Sequence, residues 1–232
     1  MRLIMHHRLD RPDLGLGLVR VEGIEVGTAP TRLAAELDLW IAKRKEQPLT
    51  PEEEAVRQGC RTFLRNGKYK PTGRGKPASE YLMRTALEEV FPRINGPVDA
   101  NNLLSLQHCV PISLWDLDLV GTNEAETRLG RAGERYVFNA TGQVLELEDL
   151  VCGCGLRGGE SLPAVTPIKD SMAAKLRPES KRLAGCIYYP LGAGSAEHLA
   201  ELSRQFLDWL LTCGPSPSGA SGICLPGQTV EI

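Results

Sequence analysis

FPRINGPVDANNLLSLQHCVPISLWDLD, residues 91–118, carries several structural signals in one run. Pro92 and Asn95-Gly96-Pro97 make a turn-rich approach. Asp99, Asn101 and Asn102 follow as a polar cluster, with Asp99 placed to cap a short helix that carries Leu103, Leu106 and Val110. Pro111 stops that helix. Beyond it Ser113, Trp115 and Leu117 alternate with Ile112, Leu114 and Asp116, the period of a β-strand. A turn, a helix and a strand so closely spaced predict a unit at the centre of the fold. Trp115 is expected to be buried there, on one core with Leu103 and Leu106.

Working outward, residues 1–27 read as two short strands, around Leu3–Met5 and Leu18–Val26. A helix is expected from near Pro30, with Leu33, Leu37, Trp40 and Ile41 at helical spacing and Lys43, Arg44 and Lys45 in its last turn. Thr50-Pro51-Glu52-Glu53 is a capping-box signature for a second helix, ending at Asn66-Gly67. GKYKPTGRGKPA, residues 67–78, is a loop, and a helix follows over Ser79–Val90. Short strands are expected at Glu124–Arg128, Arg135–Phe138, Val144–Leu147, Leu150–Cys154 and Leu183–Tyr189, with a turn at Asn139–Gly142. A last helix begins at Ser195 and presents Leu199, Leu202, Phe206, Trp209 and Leu210 on one face. The stretch from Gly214, with PSPSGASG, reads as an irregular appendage covering 214–232. Helices and strands are segregated rather than alternating, so the fold class is α+β, with all 232 residues taken as one domain.

The central run resembles the N-x-x-VD-x-x-N … P-x-x-x-(F/W)-D-x-D signature of the B3/B4 domain. That domain belongs to the β subunit of bacterial phenylalanyl-tRNA synthetase and also occurs as free-standing proteins. The matching residues are Asn95, Val98-Asp99, Asn102, Pro111, Trp115-Asp116 and Asp118. Arg128-x-Gly130-Arg131-Ala132-Gly133-Glu134 continues the likeness, which is loosest in the first fifty and last twenty residues. The resemblance implies layered sheets with helices outside, and a role in tRNA recognition and in hydrolysis of mischarged tRNA. It also implies that Asn101 and Asn102 line a pocket, with Asp99 structural. One departure matters. Synthetase domains commonly carry P-x-H-x-F-D on the strand, and here Ser113 takes the histidine position. A serine holds a water or a hydroxyl but is no proton acceptor at neutral pH.

Composition bounds the function classes. A chain with 42 % hydrophobic and 24 % charged residues is neither disordered nor membrane-spanning in character, and no apolar run nears the ~20 residues of a spanning helix. The N-terminus is too charged for a secretory signal. Seven scattered cysteines are expected to be reduced, in a cytoplasmic protein. Net charge is −2, so nucleic-acid affinity would have to be local. The basic stripe from Arg57 to Arg84, which includes Lys68, Lys70, Arg74 and Lys76, encloses only Glu80 as an acid. It reads either as a solvated face or as an RNA-facing surface, and the resemblance favours the second.

Other motifs are weaker. Gly153-Cys154-Gly155-Leu156-Arg157-Gly158 fits G-x-G-x-x-G, but Gly159, Pro163 and Pro167 leave no helix for a pyrophosphate, so a dinucleotide site is rejected. Gly73-Arg74-Gly75-Lys76 lacks the rest of a phosphate loop. Cys152 and Cys154 have no second pair at ligand spacing, so neither metal nor cofactor is expected. In PAVTPIKDSMAAKL, residues 163–176, Thr166, Lys169, Asp170 and Ser171 gather a cation, an acid and hydroxyls after a strand. This loop could bind a carboxylate, a phosphate or an α-amino group, or merely cap a short helix at Met172–Leu176.

Three functions stay open. The first is a trans-acting deacylase of mischarged aminoacyl-tRNA, with Asn101, Asn102 and Ser113 as catalytic candidates and Thr166, Lys169 and Asp170 as substrate-binding ones. The second is an RNA-binding module without catalysis, and the third a small-molecule protein on the same fold. The expected partner is tRNA, not DNA and not a membrane. With no ATP site, the chain is not itself an aminoacyl-tRNA ligase.

Overall fold

A computed structural model describes residues 2–88 and 90–232. Six α-helices are described: α1 (Thr31–Glu46), α2 (Pro51–Phe63), α3 (Ala78–Leu87), α4 (Gly96–His108), α5 (Leu117–Val120) and α6 (Ala196–Leu210). The capping box forms as its residues predict. Glu53 N donates to the Thr50 hydroxyl, while Thr50 N donates to the Glu53 carboxylate. Ser195 caps α6 through His198 N.

The strands are β1 (Ile4–His7), β2 (Leu14–Glu22), β3 (Ile112–Asp116), β4 (Glu124–Leu129), β5 (Arg135–Val137), β6 (Val144–Glu146), β7 (Val151–Arg157), β8 (Glu160–Val165), β9 (Arg182–Pro190), β10 (Ser218–Cys224) and β11 (Thr229–Glu231). They form a sheet ordered β11-β1-β4-β7-β8, a second ordered β10-β2-β9-β3, and the hairpin β5-β6. Among the described strands only β1 and β4 run parallel, with Met5 opposite Ala125; the other pairs are antiparallel. The fold is α+β, as expected.

The central run lies at the core. Trp115 is 4 % exposed, and Leu103 and Leu106 are sealed, all in one continuous cluster of buried side chains. All five residues of β3 are buried, because α4 packs against the strand and β8 of the other sheet also contacts it. Helix α4 is enclosed by α1, α3, α6 and β3. Arg44, buried near the end of α1, donates to the Leu106 and Gln107 carbonyls at its C-terminus and pairs with Glu53 at 2.8 Å.

Several expectations need correction. Helix α4 starts earlier than an Asp99 cap would have it: Asn95 is the cap, accepting from Val98 N. Asp99 sits inside the first turns and accepts from Ile94 N at 3.0 Å, so its role is structural. Cys109, with a left-handed φ of 59°, ends the helix before Pro111 is reached. Strand β2 begins at Leu14 rather than Leu18. Residues 172–176 make a turn, not a helix, since Ser171 closes the segment by accepting from Ala173 N and Ala174 N.

The largest correction concerns the C-terminal stretch, which is not irregular. β10 pairs with β2 from Ser218↔Glu22 to Cys224↔Leu16, and β11 pairs with β1. Its small residues suit close packing. A Cβ on Gly219 would lie 2.3 Å from the Arg20 carbonyl oxygen. Among the described residues no helix is long and apolar enough to cross a membrane.

Candidate functional site

β8 is an edge strand of the five-stranded sheet, and β3 an edge strand of the four-stranded sheet. The loop Thr166–Asp170 leaves β8 and bridges these two edges. Ser113, on β3 and fully buried, has its hydroxyl 2.8 Å from Asp170 Oδ1 and 3.1 Å from the Thr166 carbonyl oxygen. Thr166 N donates to the same carboxylate oxygen at 3.3 Å. The loop holds its own shape through Thr166, whose hydroxyl donates to the Lys169 carbonyl at 2.8 Å and accepts from Lys169 N at 3.1 Å. The β5-β6 hairpin fastens it from outside. Tyr136 donates to the Lys169 carbonyl at 2.6 Å, and Met172 N donates to the Val137 carbonyl at 2.8 Å. From the third side, Ala78 N at the start of α3 donates to the Pro167 carbonyl at 2.9 Å.

This enclosure sets the electrostatics. Burial pushes the Asp170 carboxyl up to about 7, against hydrogen bonds from Ser113, Thr166 N and Leu114 N that favour its charged form. Protein surrounds the group, yet the residue keeps part of its surface open to solvent. A carboxyl that is half ionised near neutrality can take up and return a proton there. Tyr188, fully buried on β9, has its hydroxyl beside Ser113 without a well-formed hydrogen bond; burial above all, with Cys186 and Asp170 adding to it and Ser113 opposing it, holds that phenol far above its usual range.

The loop's outer side is basic. Lys169 lies over the Phe138 ring, 3.9 Å from its centre, and its pKa is lowered by burial first and then by the charges of Arg74 and Lys175. Lys175 donates to the Phe138 carbonyl at 2.7 Å. Lys70, Arg74 and Lys76 are exposed on the loop before α3 and make no ion pair among the described residues. The rest of the basic stripe is partly neutralised by acids, some distant in sequence. Lys68 pairs with Glu148 at 2.8 Å, and Arg57 and Arg61 both reach Glu80. Sequence order hid the Glu148 contact.

Ser113, Thr166 and Asp170 therefore come together, with Lys169 beside them. Asn101 and Asn102 do not join them by any hydrogen bond. They lie about nine-tenths buried on α4, where Asn101 Nδ2 donates to Asn102 Oδ1 at 3.4 Å. That contact leaves Asn101 Oδ1 buried without a partner and Asn102 Nδ2 unspent. Their link to the loop is through shared neighbours: α4 packs on both β3 and α3. Tyr136, Tyr188 and Lys175 were not singled out from the sequence. The pairing of β3 with β9, Ser113 opposite Cys186, brings Tyr188 close, and strand pairing leaves no mark in the residues themselves.

The rejected motifs find plain structural uses. Gly153 sits in β7, where a Cβ would meet the Val165 side chain at 2.7 Å. All seven cysteines are buried thiols, and no group of three or more metal-binding side chains is assembled among the described residues. In comparisons with known proteins, no family model matches the chain, and no curated protein matches it.

Proposed function

We propose that the protein hydrolyses the ester of mischarged aminoacyl-tRNA, acting in trans, a reading supported by a central run that resembles the B3/B4 signature. The observation that carries this reading is the Ser113–Asp170 pair, a carboxyl tuned to about 7 and held at 2.8 Å by a serine. The sequence left the chemistry without a general base once Ser113 stood where a histidine is common. Asp170 supplies one. It takes a proton from a water, the resulting hydroxide adds to the ester carbonyl, and the bond to the ribose oxygen breaks. The proton held by Asp170 then passes to the leaving ribose hydroxyl. Ser113 orients the carboxylate by donating to it. For the developing oxyanion the reading assigns Asn102 Nδ2, a donor with no hydrogen bond among the described residues. Lys70, Arg74, Lys76 and Lys169 would meet the RNA backbone phosphates.

The test is a deacylation screen against a panel of mischarged tRNAs, with spontaneous hydrolysis subtracted. At least one ester is expected to be cleaved by the wild type and spared by Asp170→Asn. A second reading, a binding module without catalysis, is favoured by the exposed, unpaired cations of the 70–76 loop. Binding of tRNA with no ester cleaved would select it.

A further inference from the structure

A cleft of about 320 Å³ lies where the first turns of α2 and α6 meet the C-terminal end of α4, and it shares no residue with the Asp170 cluster. That volume is in the range of small-molecule sites. Three rings contribute to its lining. His198 lies edge-on to His108 and tilted to Tyr189, with ring centres 5.8 Å apart in both pairs.

Hydrogen bonding assigns a tautomer to His108. Gln205 donates through its Nε2 to Gln107 Oε1 at 3.4 Å, so its Oε1 is turned to His108 Nε2 at 3.2 Å. With Gln205 in this orientation Nε2 carries the proton, and Nδ1 presents a lone pair with no partner among the described residues. Burial above all lowers the pKa of this imidazole to about 4, so it remains a neutral acceptor under physiological conditions.

The charged side chains that line the cleft are Glu52 and Glu53, and no lysine or arginine does. Glu53 is engaged by Arg44 and Thr50 N; Glu52 bonds locally to its own N–H and to Thr50, and its carboxylate stays open to solvent. Arg44 lies behind the cleft with its charge matched by Glu53, and the acceptors and ring faces left at the surface favour a positively charged hydrogen-bond donor.

We propose that this cleft binds a small organic cation, a primary ammonium or guanidinium on a short carbon chain. Glu52 and His108 Nδ1 accept from its N–H groups, and the Tyr189 and His198 rings cover its carbon chain. The site is independent of the ester-hydrolysis reading and can stand or fall without it.

The experiment is an NMR titration that follows the imidazole C–H signals of His108 and His198. Agmatine is the cationic probe, and glutarate an anion of similar length. Agmatine is expected to shift both imidazoles with Kd below ~1 mM, and glutarate to leave them in place. Glu52→Gln is expected to raise Kd about 3-fold, and His108→Phe about 10-fold. Glu179→Gln, which removes an exposed carboxylate that does not line the cleft, should leave Kd unchanged. Glu52 is exposed on a helix surface, so its variant keeps the test usable if His108→Phe fails to fold. Unmoved imidazole signals at ~10 mM agmatine overturn the proposal. So do equal shifts with glutarate, or a Glu52→Gln protein that titrates like the wild type.

Discussion

The first turns of α4 and the loop Thr166–Asp170 are both crowded with short polar side chains, and they use them in opposite ways. Along α4 the contacts are local. Asn95 bonds to Val98 N, Asp99 to Ile94 N, and Ser105 to the Val110 carbonyl, none more than five positions away. The loop adds distant contacts to the local ones that Thr166 makes. Ser113 meets Asp170 across 57 positions, and Tyr136 meets Lys169 across 33. Local pairing satisfies the orphan groups of a helix end and makes an element. Distant pairing gathers several segments on one carboxyl, desolvates it and tunes it. Asn101 and Asn102 stand between the two cases, bonded to each other yet leaving an acceptor and a donor unspent.

The comparison breaks most easily on rate. Asp170→Asn is expected to lower kcat for deacylation ~100-fold or more, the usual cost of losing a general base, with tRNA affinity unchanged. Asn102→Ala is expected to lose about 100-fold through the missing oxyanion donor. If Asn102→Ala keeps full rate, α4 belongs wholly to the structural side of the contrast.

Affinity comes next. Reversing Lys70, Arg74 and Lys76 to glutamate is expected to weaken tRNA binding ~10-fold or more and to reduce the salt slope by about 2, three phosphate contacts on a single strand. Including Lys68 should add little, since Glu148 already pairs with it. An unchanged slope in the triple variant removes this loop from the RNA interface.

Stability gives smaller effects with opposite signs. The Asp170 carboxyl titrates higher folded than unfolded, so its favourable contribution is complete below about pH 4 and is lost as pH rises through about 7. Asp170→Asn should therefore raise the melting temperature by about 2–4 °C at pH 8, and the gain should vanish near pH 4. Asn95→Ala, by contrast, is expected to cost about 1 kcal/mol at every pH, with no change in kcat. Thermal unfolding of both variants across pH separates the tuned carboxyl from the plain cap.

The same contrast explains what could be read in the sequence. The capping box at Thr50, the turn at Asn139–Gly142, the burial of Trp115 and the apolar face of α6 were legible because residues within a few positions decide them. The C-terminal strands were not. Ser218–Cys224 has a flexible linker's composition, and its extended form is supplied by β2, about 200 positions earlier. Thr166, Lys169 and Asp170 stood out as a polar group after a strand, but the proton affinity of Asp170 did not. It is created by β3, the β5-β6 hairpin and α3, which close around the loop from three parts of the chain. The basic stripe was visible as a count of charges. Which of them stay free depended on acids such as Glu148, brought in by the fold.

The central claim is that Asp170 acts as a base in ester hydrolysis. The most direct measurement is the initial rate of deacylation by the wild-type protein between pH 5.5 and 8.5, on a mischarged tRNA it accepts, with spontaneous hydrolysis subtracted. The rate should climb as Asp170 loses its proton, reach half its maximum at about pH 7, and level off above that. A rate that is flat across this range, or no cleavage of any ester beyond the spontaneous rate, would contradict it.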